Sequence, residues 1–422
     1  MNKIIILGAG LSGSLTGLRL AKIAHVTLIN PIGIEDLKPV NKLFPKHNFP
    51  YFSDFEIDIQ NELIFPEDHR ISWYMGTDST GVVNSKEFGE PMGKVVRYDM
   101  LIKDLLAKTE KAGVEIRVGP YPEKILRNSD GLEIHNMSGT PEKANLLIIA
   151  GGGATHSLQS KLGFSAPTLY NGINVNLEGP LEVVSNNFQP QYIFHINPNI
   201  SVVGPFAMIK SQNMVSVGFL GNKTESFPEM NEKLNRILKN YKKIQALIDG
   251  LTPSAPAFPL TVSKHPIKRM VDDHVMILGE SAGLVSGFFY EGIIGTLASS
   301  KIASGVLLDL FTNNKELNRT NLQRYEDTLR RTLINTYFET GKASEFLFYE
   351  AGSNLKLLFN LYGEVLKSSS KARKMLYEAC INQHLETYNY EADRWVGEQI
   401  FQRVPTLQKL VLMPHFLKSM NL

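Results

Sequence analysis

A glycine pattern close to the start of the sequence has the residue types and spacing of a turn that binds dinucleotides. It consists of Gly8, Gly10 and Gly13, with Leu11 and Ser12 between the last two. In such a turn the first glycine permits a tight bend, the second lets the backbone approach a pyrophosphate, and the third lets a helix pack closely on a strand. N–H groups at the start of that helix attract phosphate oxygens. The pattern therefore predicts a nucleotide phosphate site formed by these five residues.

The residues around the glycines predict the elements that such a turn needs. Residues 3–7 read as an apolar strand buried on both faces, a helical pattern extends to residue 23, and residues 26–29 form a second strand. This strand leads into Asn30, where an acidic residue commonly binds ribose hydroxyls. We expect Asn30 to bind the ribose through an uncharged hydrogen bond, with a turn-forming Asn-Pro pair as the alternative.

Charge and composition exclude several classes of protein. The 44 Lys and Arg residues nearly balance the 42 Asp and Glu residues, which leaves a net charge of +2 and no strong field for nucleic acid. The single cysteine, Cys380, excludes an internal disulfide and a cysteine-based zinc site, and it is consistent with a cytoplasmic location. No HExxH or other metal-ligand spacing occurs, so we expect no metal. No run of about 18 apolar residues predicts a transmembrane helix.

The order of predicted elements divides the chain into three regions and predicts an α/β fold class (α+β overall). Apolar strands at 145–150 and 275–278 both lead into glycines, whereas residues 165–265 alternate as in an antiparallel sheet. Residues 31–60 contain four prolines and predict a long loop. Other predicted elements are a helix at 98–111, strands near 192–196, 200–204 and 214–219, and helices at 229–247 and 290–311. The predicted regions are a Rossmann-like nucleotide-binding domain at 1–164 plus 266–312, an inserted antiparallel-sheet substrate domain at 165–265, and a helical C-terminal region at 313–422.

Two later segments resemble known flavoprotein motifs. Residues 149–157 resemble the "DG" segment of flavoprotein monooxygenases, with Gly151 where an aspartate is usual. Residues 276–293 resemble the "GD" segment of the same proteins, with Glu280 where an aspartate is usual. Arg97 begins a stretch that looks like the arginine-led helix of the family. The chain is similar to the para-hydroxybenzoate-hydroxylase-type FAD superfamily, and the third motif looks most like its geranylgeranyl reductase branch.

This resemblance implies FAD as the cofactor of the Rossmann-like domain. Glu280 would accept a hydrogen bond from the ribityl chain, with a solvated helix cap as the alternative. The N–H groups of Gly292 and Ile293 would face the pyrimidine edge of the flavin and stabilise negative charge there, unless they only begin a helix. Arg97 would contact FAD or form only a surface salt bridge. The predicted FAD-binding residues are Gly8, Gly10, Leu11, Ser12, Gly13, Asn30, Arg97, Gly151, Gly152, Gly279, Glu280, Gly283, Gly292 and Ile293.

The resemblance also implies a reaction and its partners. Reduced flavin would transfer hydride to a double bond of a hydrophobic small molecule of the isoprenoid or lipid type. An external electron donor, such as NAD(P)H, ferredoxin or a flavin reductase, would supply the electrons. Tyr290, Lys42 and His47 are the candidate proton donors, although a lysine or histidine in a loop is more often simply solvated. Phe194, Phe206 and Phe219 are among the apolar residues offered by the predicted sheet.

Departures from the reductase branch keep other reactions open. Those reductases commonly carry a Pro-Cys-Gly segment after the second strand, whereas residues 39–41 read Pro-Val-Asn. The alternatives are a flavin-dependent monooxygenase or halogenase acting on an aromatic or alkene substrate, and a non-redox flavoprotein. Residues 407–418 are amphipathic with basic flanks, which indicates peripheral contact with an anionic membrane surface, or packing within the protein.

Overall fold

The structure is a computed structural model, and it describes residues 2–57, 71–74, 81–128, 131–135, 141–188, 192–222, 224–288, 290–382 and 390–420. The strands in chain order are β1 (Asn2–Leu7), β2 (Ala24–Asn30), β3 (Asn41–Pro45), β4 (Ile71–Tyr74), β5 (Gly93–Arg97), β6 (Glu115–Val118), β7 (Lys124–Asn128), β8 (Gly131–His135), β9 (Glu142–Ala144), β10 (Leu146–Ile149), β11 (Thr168–Glu178), β12 (Tyr192–His195), β13 (Phe206–Lys210), β14 (Met214–Leu220), β15 (Thr252–Pro253), β16 (Phe258–Lys264), β17 (Val271–Asp272) and β18 (Val275–Ile277). The helices are α1 (Leu11–Leu20), α2 (Phe49–Asp54), α3 (Tyr98–Lys111), α4 (His156–Lys161), α5 (Leu181–Asn187), α6 (Phe227–Asn240), α7 (Lys242–Ile248), α8 (Ile293–Thr312), α9 (Arg319–Leu329), α10 (Glu339–Tyr349), α11 (Leu355–Ser368), α12 (Ser370–Ile381), α13 (Tyr390–Arg403) and α14 (Thr406–Met420).

A six-stranded sheet with the order β17-β18-β10-β1-β2-β6 forms the nucleotide-binding region. The strands from β18 to β6 are parallel, and β17 at one edge is antiparallel to β18. Ile4, Leu146 and Val275 are fully buried, which explains why these strands are apolar throughout. Because the carboxyl ends of parallel strands lie at one edge of a sheet, the turns after β1, β10 and β18 come close together. The predicted α/β fold class is confirmed.

The second sheet has the order β15-β11-β14-β13-β12-β4, with β16 also paired to β11. Its neighbours are antiparallel except β4 and β12, so the sheet recruits one strand from outside residues 165–265. The strand predicted near 200–204 is wrong, because the Asn197 carbonyl accepts the N–H groups of Ile200 and Ser201 in a turn. The helix predicted at 229–247 is divided into α6 and α7.

The loop predicted over residues 31–60 is present at 31–40, apart from a short 3-10 segment at Ile34–Asp36, but the prediction is wrong for residues 41–54. Strand β3 pairs antiparallel with β5, with Leu43 opposite Val95. Pro45 ends this strand, and Pro50 lies in the first turn of α2. Proline is tolerated at both positions because the N–H group that it lacks has no ladder or helix partner there. The prolines that suggested a loop therefore mark element ends.

Helix α8 is long and apolar enough to cross a membrane, and no other helix in the described ranges meets that test. A helix was predicted here at 290–311, but not one apolar enough to span a membrane, because serines interrupt its apolar run. However, 61% of its apolar window is buried within the protein, and it packs against α1 and α9. Its apolar character is thus accounted for as that of a core helix.

The C-terminal region is helical, as predicted, from α9 to α14 in the described part. Helix α9 continues through a π-helical segment, Arg330–Phe338, into α10. A second hydrophobic core joins this region to the rest of the molecule, since the ring of Phe288 stacks 6.4 Å from that of Phe359, and Phe348 lies 5.1 Å from Phe288. The helical region therefore packs directly behind the segment that carries the third motif.

Candidate cofactor and substrate site

The three glycine-bearing turns are held together by hydrogen bonds. The Gly8 N–H donates to the Ile29 carbonyl at 2.8 Å, which fixes the first turn against β2. The Gly152 N–H donates to the Ser281 hydroxyl at 2.7 Å, so the turn after β10 is tied to the turn after β18. The latter is a 3-10 segment, Gly279–Ala282, which ends at Gly283 with a left-handed backbone. The sequence-predicted residues Gly8, Gly152, Gly279 and Gly283 thus lie at one edge of the sheet.

The first turn has the two properties that a phosphate-binding glycine turn needs. A Cβ atom on Gly13 would lie 1.9 Å from the Gly8 carbonyl oxygen, so only glycine allows α1 to approach β1 this closely. A Cβ atom on Gly10 would meet nothing within 4 Å. Open space therefore lies beside Gly10 at the start of α1, where helix N–H groups attract anions.

The other predicted residues of this turn make contacts within the protein. Asn30 accepts a hydrogen bond from the Ala9 N–H at 3.1 Å and donates to the Ile32 carbonyl at 2.7 Å, so its amide shapes the turn. The Ser12 hydroxyl lies 3.0 Å from that of Ser300 on α8, and Leu11 is buried in the core. The Leu11 N–H is directed to the Tyr98 hydroxyl, and Ser12 can therefore reach a phosphate only through its backbone.

Arg97 forms a two-point ion pair with Asp99, with Nε–Oδ1 and Nη2–Oδ2 distances of 3.1 and 3.0 Å. Asp99 lines the large cavity described below, whereas Arg97 is not among the lining residues. The partner of Arg97, the last residue of β5, is thus a carboxylate in the first turn of α3. The FAD contact predicted for Arg97 stays a prediction.

A cavity of about 580 Å³ adjoins the turn after β18 at Glu280 and lies between β3, the second sheet, the segment 280–296 and the C-terminal helices. This volume is in the range of pockets that bind small organic ligands. Phe194 and Phe219 line it, as the sequence suggested, whereas Phe206 lies in the core of the second sheet. Its apolar lining also includes Leu37, Leu43, Ile102, Leu260, Val285 and Leu376. Its ionisable lining residues are Lys38, Lys42, His47, Tyr98, Asp99, Glu280, Tyr290, Glu291, Tyr337 and Cys380.

Glu280 and Lys42 face the cavity as a buried pair of opposite charge. Burial raises the pKa of the Glu280 carboxyl, although the Lys42 charge and the Ser263 N–H, at 3.0 Å, oppose this. Burial also lowers the pKa of the Lys42 amine, against the pull of Glu280. The Lys42 ammonium lies 4.0 Å from the centre of the Tyr98 ring. Desolvation thus outweighs attraction within the pair, and a ligand with hydroxyl or phosphate groups would supply further hydrogen-bond partners for both groups.

Glu291, which the sequence reading did not single out, caps the start of α8. The Ile294 N–H donates to Glu291 Oε1 at 3.0 Å, and the Ile293 N–H is also directed to this carboxyl. The start of α8 is thus satisfied from within the chain, and the flavin contact predicted for the Ile293 N–H stays a prediction. Burial raises the pKa of Glu291 to about 7 despite these bonds. Gly292, beside it, lines the cavity.

Three buried polar atoms near this helix start lack a hydrogen-bond partner among the described residues. They are Glu291 Oε2, His47 Nε2 and Asn48 Oδ1. The sequence predicted that His47 lies in a loop, but the structure places it in the 3-10 segment after β3. Its Nδ1 lies 3.2 Å from the Ala379 carbonyl there. Burial lowers its pKa to about 4, so His47 is neutral at pH 7. Unpaired buried polar atoms are costly, which indicates that a ligand or water completes this end of the cavity.

Tyr290 lines the cavity and its hydroxyl accepts a hydrogen bond from the Lys264 ammonium at 3.0 Å. Lys264 is paired in turn with Glu345 on α10, with a nitrogen–oxygen distance of 2.6 Å. Lys264 and Glu345 were not predicted as site residues, because they lie 26 and 55 residues from Tyr290 and belong to no motif. A single sequence gave no signal that could have found them.

No model of a known protein family matches the chain. Digeranylgeranylglycerophospholipid reductase 2 of Methanopyrus kandleri is 23% identical over 315 residues, which are 70% of this chain and 76% of that protein. Conditioned medium factor receptor 1 of Dictyostelium discoideum is 38% identical over 61 residues, but the match spans only 14% of this chain and 12% of that protein.

Solved structures of similar fold cover almost the whole chain. A geranylgeranyl bacteriochlorophyll reductase-like protein from Thermoplasma acidophilum has a TM-score of 0.67 and 18% identity, and the match covers 98% of this chain and 100% of that one. The halogenase PltM in complex with phloroglucinol and FAD has a TM-score of 0.66 and 17% identity, with 100% and 96% covered. The p-nitrophenol 4-monooxygenase PnpA from Pseudomonas putida has a TM-score of 0.66 and 14% identity, with 91% and 99% covered. These likenesses confirm the predicted fold.

Proposed function

We propose that this chain, which has the fold of the geranylgeranyl-reductase-like flavoproteins, is an FAD-dependent oxidoreductase that reduces a double bond of a hydrophobic, isoprenoid-type lipid. The cavity of about 580 Å³ carries the proposal, because it joins the turn after β18, through Glu280, to an apolar lining from the second sheet and the C-terminal helices. The name of the Methanopyrus relative, a reductase of a digeranylgeranyl lipid, supports the substrate class.

FAD fits the residues at the edge of the first sheet. The open space beside Gly10 and the N–H groups at the start of α1 would hold the pyrophosphate. Glu280 would accept hydrogen bonds from the ribityl chain, and Lys42, beside it, would place positive charge near the cofactor. Bound and reduced FAD supplies hydride, and an external donor such as NAD(P)H, ferredoxin or a flavin reductase supplies the electrons.

Of the lining residues Tyr290, Glu291 and His47, the first two can act as acids at neutral pH and His47 cannot. Burial raises the pKa of the Tyr290 phenol well above its ordinary value, so it remains protonated, and Glu291 is about half protonated near pH 7. The lowered pKa of His47 leaves it without a proton to give. Tyr290 is the proton donor in this proposal, and Lys42 binds negative charge.

The test begins with protein loaded with FAD and reduced by dithionite without oxygen. Digeranylgeranylglycerophospholipid in detergent micelles should restore the oxidised flavin spectrum, and mass spectrometry should find lipid that has gained two hydrogens per reduced double bond. A matched phospholipid with saturated chains is the control. Reoxidation by dissolved oxygen alone, with a hydroxylated or halogenated aromatic product, would favour the monooxygenase or halogenase alternative. FAD that binds but transfers no electrons to any acceptor would favour a non-redox role.

An exposed apolar face on α14 should bind the membrane in which such a lipid resides. Leu407, Leu410 and Val411 are 81, 76 and 70% exposed, and Lys409 and Lys418 provide positive charge on the same helix. Replacing the three apolar residues with serine should weaken binding to phosphatidylglycerol-containing vesicles at least about tenfold, since each loses buried apolar area. Sedimentation with vesicles measures this. Leu181→Ser, at an exposed position on α5, is the control, and equal binding by all variants would contradict the contact.

A further inference from the structure

We propose that His265, Glu345, Lys264 and Tyr290 form a proton relay that connects solvent to the cavity. His265 Nε2 lies 2.9 Å from Glu345 Oε2, Glu345 Oε1 lies 2.6 Å from the Lys264 nitrogen, and that nitrogen lies 3.0 Å from the Tyr290 hydroxyl. Each link is within hydrogen-bond distance. The proposal rests on the proposed function, which consumes one proton for each hydride added.

Exposure changes along this chain in the way that a relay requires. The His265 side chain is 39% exposed, Glu345 is 9% exposed and Lys264 is 1% exposed. Tyr290 then lines the cavity. Because Lys264 donates to the Tyr290 oxygen, the hydrogen of the hydroxyl is free to face the cavity. One end of the series therefore meets water and the other meets the substrate.

The two ends of the relay lie on strained backbone. His265 and Tyr290 have φ angles of +73° and +57°, a left-handed region that side chains larger than glycine seldom adopt. Such residues persist only where the surroundings hold them, and they concentrate at functional sites. Gly287 makes room for the centre of the relay, since a Cβ atom there would lie 2.0 Å from Glu345 Oε2.

Burial and neighbouring charges act in opposite directions on the two central members of the relay. Burial lowers the pKa of Lys264, against the opposing charges of Glu345 and Glu350, so the ammonium can give up a proton. Burial would raise the pKa of Glu345, but His265 and Lys264 outweigh it and the net pKa is lowered. Tyr170 also faces Lys264, with the ring centre 4.5 Å from its nitrogen. Thr168 completes the surroundings of His265, with its hydroxyl 3.3 Å from Nδ1.

One proton passes through the relay without any net change in its members. The Tyr290 O–H bond breaks as its proton bonds to the carbon next to the one that receives hydride. Lys264 gives a proton to the Tyr290 oxygen. A proton from the His265 imidazolium binds one oxygen of Glu345, the carboxyl group rotates, and the proton passes to the Lys264 nitrogen. His265 then takes a proton from water.

The experiment compares the wild type with Glu345→Gln, His265→Asn and Tyr290→Phe, where asparagine is chosen because it tolerates positive φ. The FAD-loaded, dithionite-reduced proteins are mixed with digeranylgeranylglycerophospholipid micelles in H₂O and in D₂O. We expect flavin reoxidation to slow by about tenfold to a hundredfold in each variant and to show a larger solvent isotope effect. Imidazole added to the buffer should restore the rate in Glu345→Gln and His265→Asn but not in Tyr290→Phe.

Glu326→Gln is the matched control, because Glu326 is buried and pairs with Arg330 at 3.0 Å outside the cavity lining. Imidazole should not change its rate. Thermal unfolding of the apoproteins gives a second readout. The double variant Glu345→Gln, Lys264→Met should lose less Tm than the sum of the losses in the two single variants. Unslowed variants, or a failure of imidazole to restore the rate in Glu345→Gln and His265→Asn, overturn the relay.

Failure of the proposed function gives a different result. If the wild type binds FAD but does not reduce the lipid, the same variants are compared with dissolved oxygen as the electron acceptor. Oxygen takes up one proton as hydrogen peroxide forms, so the same criteria decide whether the relay exists. If the wild type binds no FAD, both proposals are overturned. If it reduces the lipid and the variants behave like Glu326→Gln, only the relay is overturned.

Discussion

Gly13→Ala should destabilise the apoprotein by about 3 kcal/mol or more and abolish FAD binding. A Cβ atom at this position would lie 1.9 Å from the Gly8 carbonyl oxygen and 3.2 Å from the Ile6 side chain. Overpacking usually costs about 1–3 kcal/mol, and the upper end applies here because the colliding atom belongs to the backbone of the turn and cannot rotate away. Chemical denaturation and flavin fluorescence titration measure the two effects.

Gly10→Ala should separate binding from folding. Gly10 has φ −73° and ψ −174°, which any residue adopts, and its Cβ position is open. The apoprotein should therefore unfold within about 0.5 kcal/mol of the wild type. FAD binding should weaken about tenfold to a hundredfold, because the methyl group keeps the phosphates from N–H donors that contribute about 1.5–3 kcal/mol each to a charged acceptor.

Gly305→Ala is the control for both changes, since it lies on the exposed side of α8 with no atom within 4 Å of its Cβ position. It should leave FAD binding unchanged and slightly stabilise the helix. Unchanged FAD affinity in Gly10→Ala would contradict the assignment of this turn to the pyrophosphate, whatever the outcome at Gly13.

Local patterns in the sequence were sufficient to predict the elements of the first sheet. The apolar runs that became β1, β10 and β18 and the helix at 98–111 are set by spacing within a few residues, and α3 has the predicted bounds. The glycine turns were equally visible, because close approach of backbone leaves only glycine as a choice. In each case one segment determined its own structure.

Long-range pairing explains the elements that the sequence did not reveal. Residues 41–45 form a strand only because β5, about 50 residues later, pairs with them, and prolines nearby suggested a loop. Residues 200–204 have strand-like side chains, but the Asn197 side chain and carbonyl hold them in a turn. The competing contact in both cases lies outside any window of local pattern.

The candidate site shows the same limit. Tyr290 and Lys42 could be chosen as ionisable residues near motifs, and both line the cavity. Their properties, however, depend on partners from other regions: Tyr290 on Lys264, and Lys42 on Glu280. Glu291 stands within a recognised motif, yet its role at the start of α8 depends on its burial, which the motif does not encode.

The apoprotein of Glu291→Gln should gain free energy of unfolding relative to the wild type as the pH rises. The difference between the two proteins should be about 3 kcal/mol larger at pH 8 than at pH 4. Burial raises the pKa of Glu291 from 4.5 to about 7 in the folded state, and each pKa unit corresponds to about 1.4 kcal/mol. Because the folded-state pKa is the higher one, the protonated carboxyl favours folding fully below pH 4.5. This contribution is lost as the pH rises through 7, whereas glutamine stays neutral throughout.

Denaturant unfolding of both proteins across this pH range measures the difference, and Glu364→Gln, at an exposed position on α11, corrects for the change in net charge. If FAD binds beside Glu291, its affinity should depend on pH. A ligand that accepts a hydrogen bond from the neutral carboxyl should bind more tightly to the wild type below pH 7 than above it. Glu291→Gln should lose that dependence. A difference in unfolding free energy that stays constant from pH 4 to pH 8 would mean that the carboxyl is solvated or paired in the folded protein. The start of α8 would then be an ordinary helix cap that does not respond to pH.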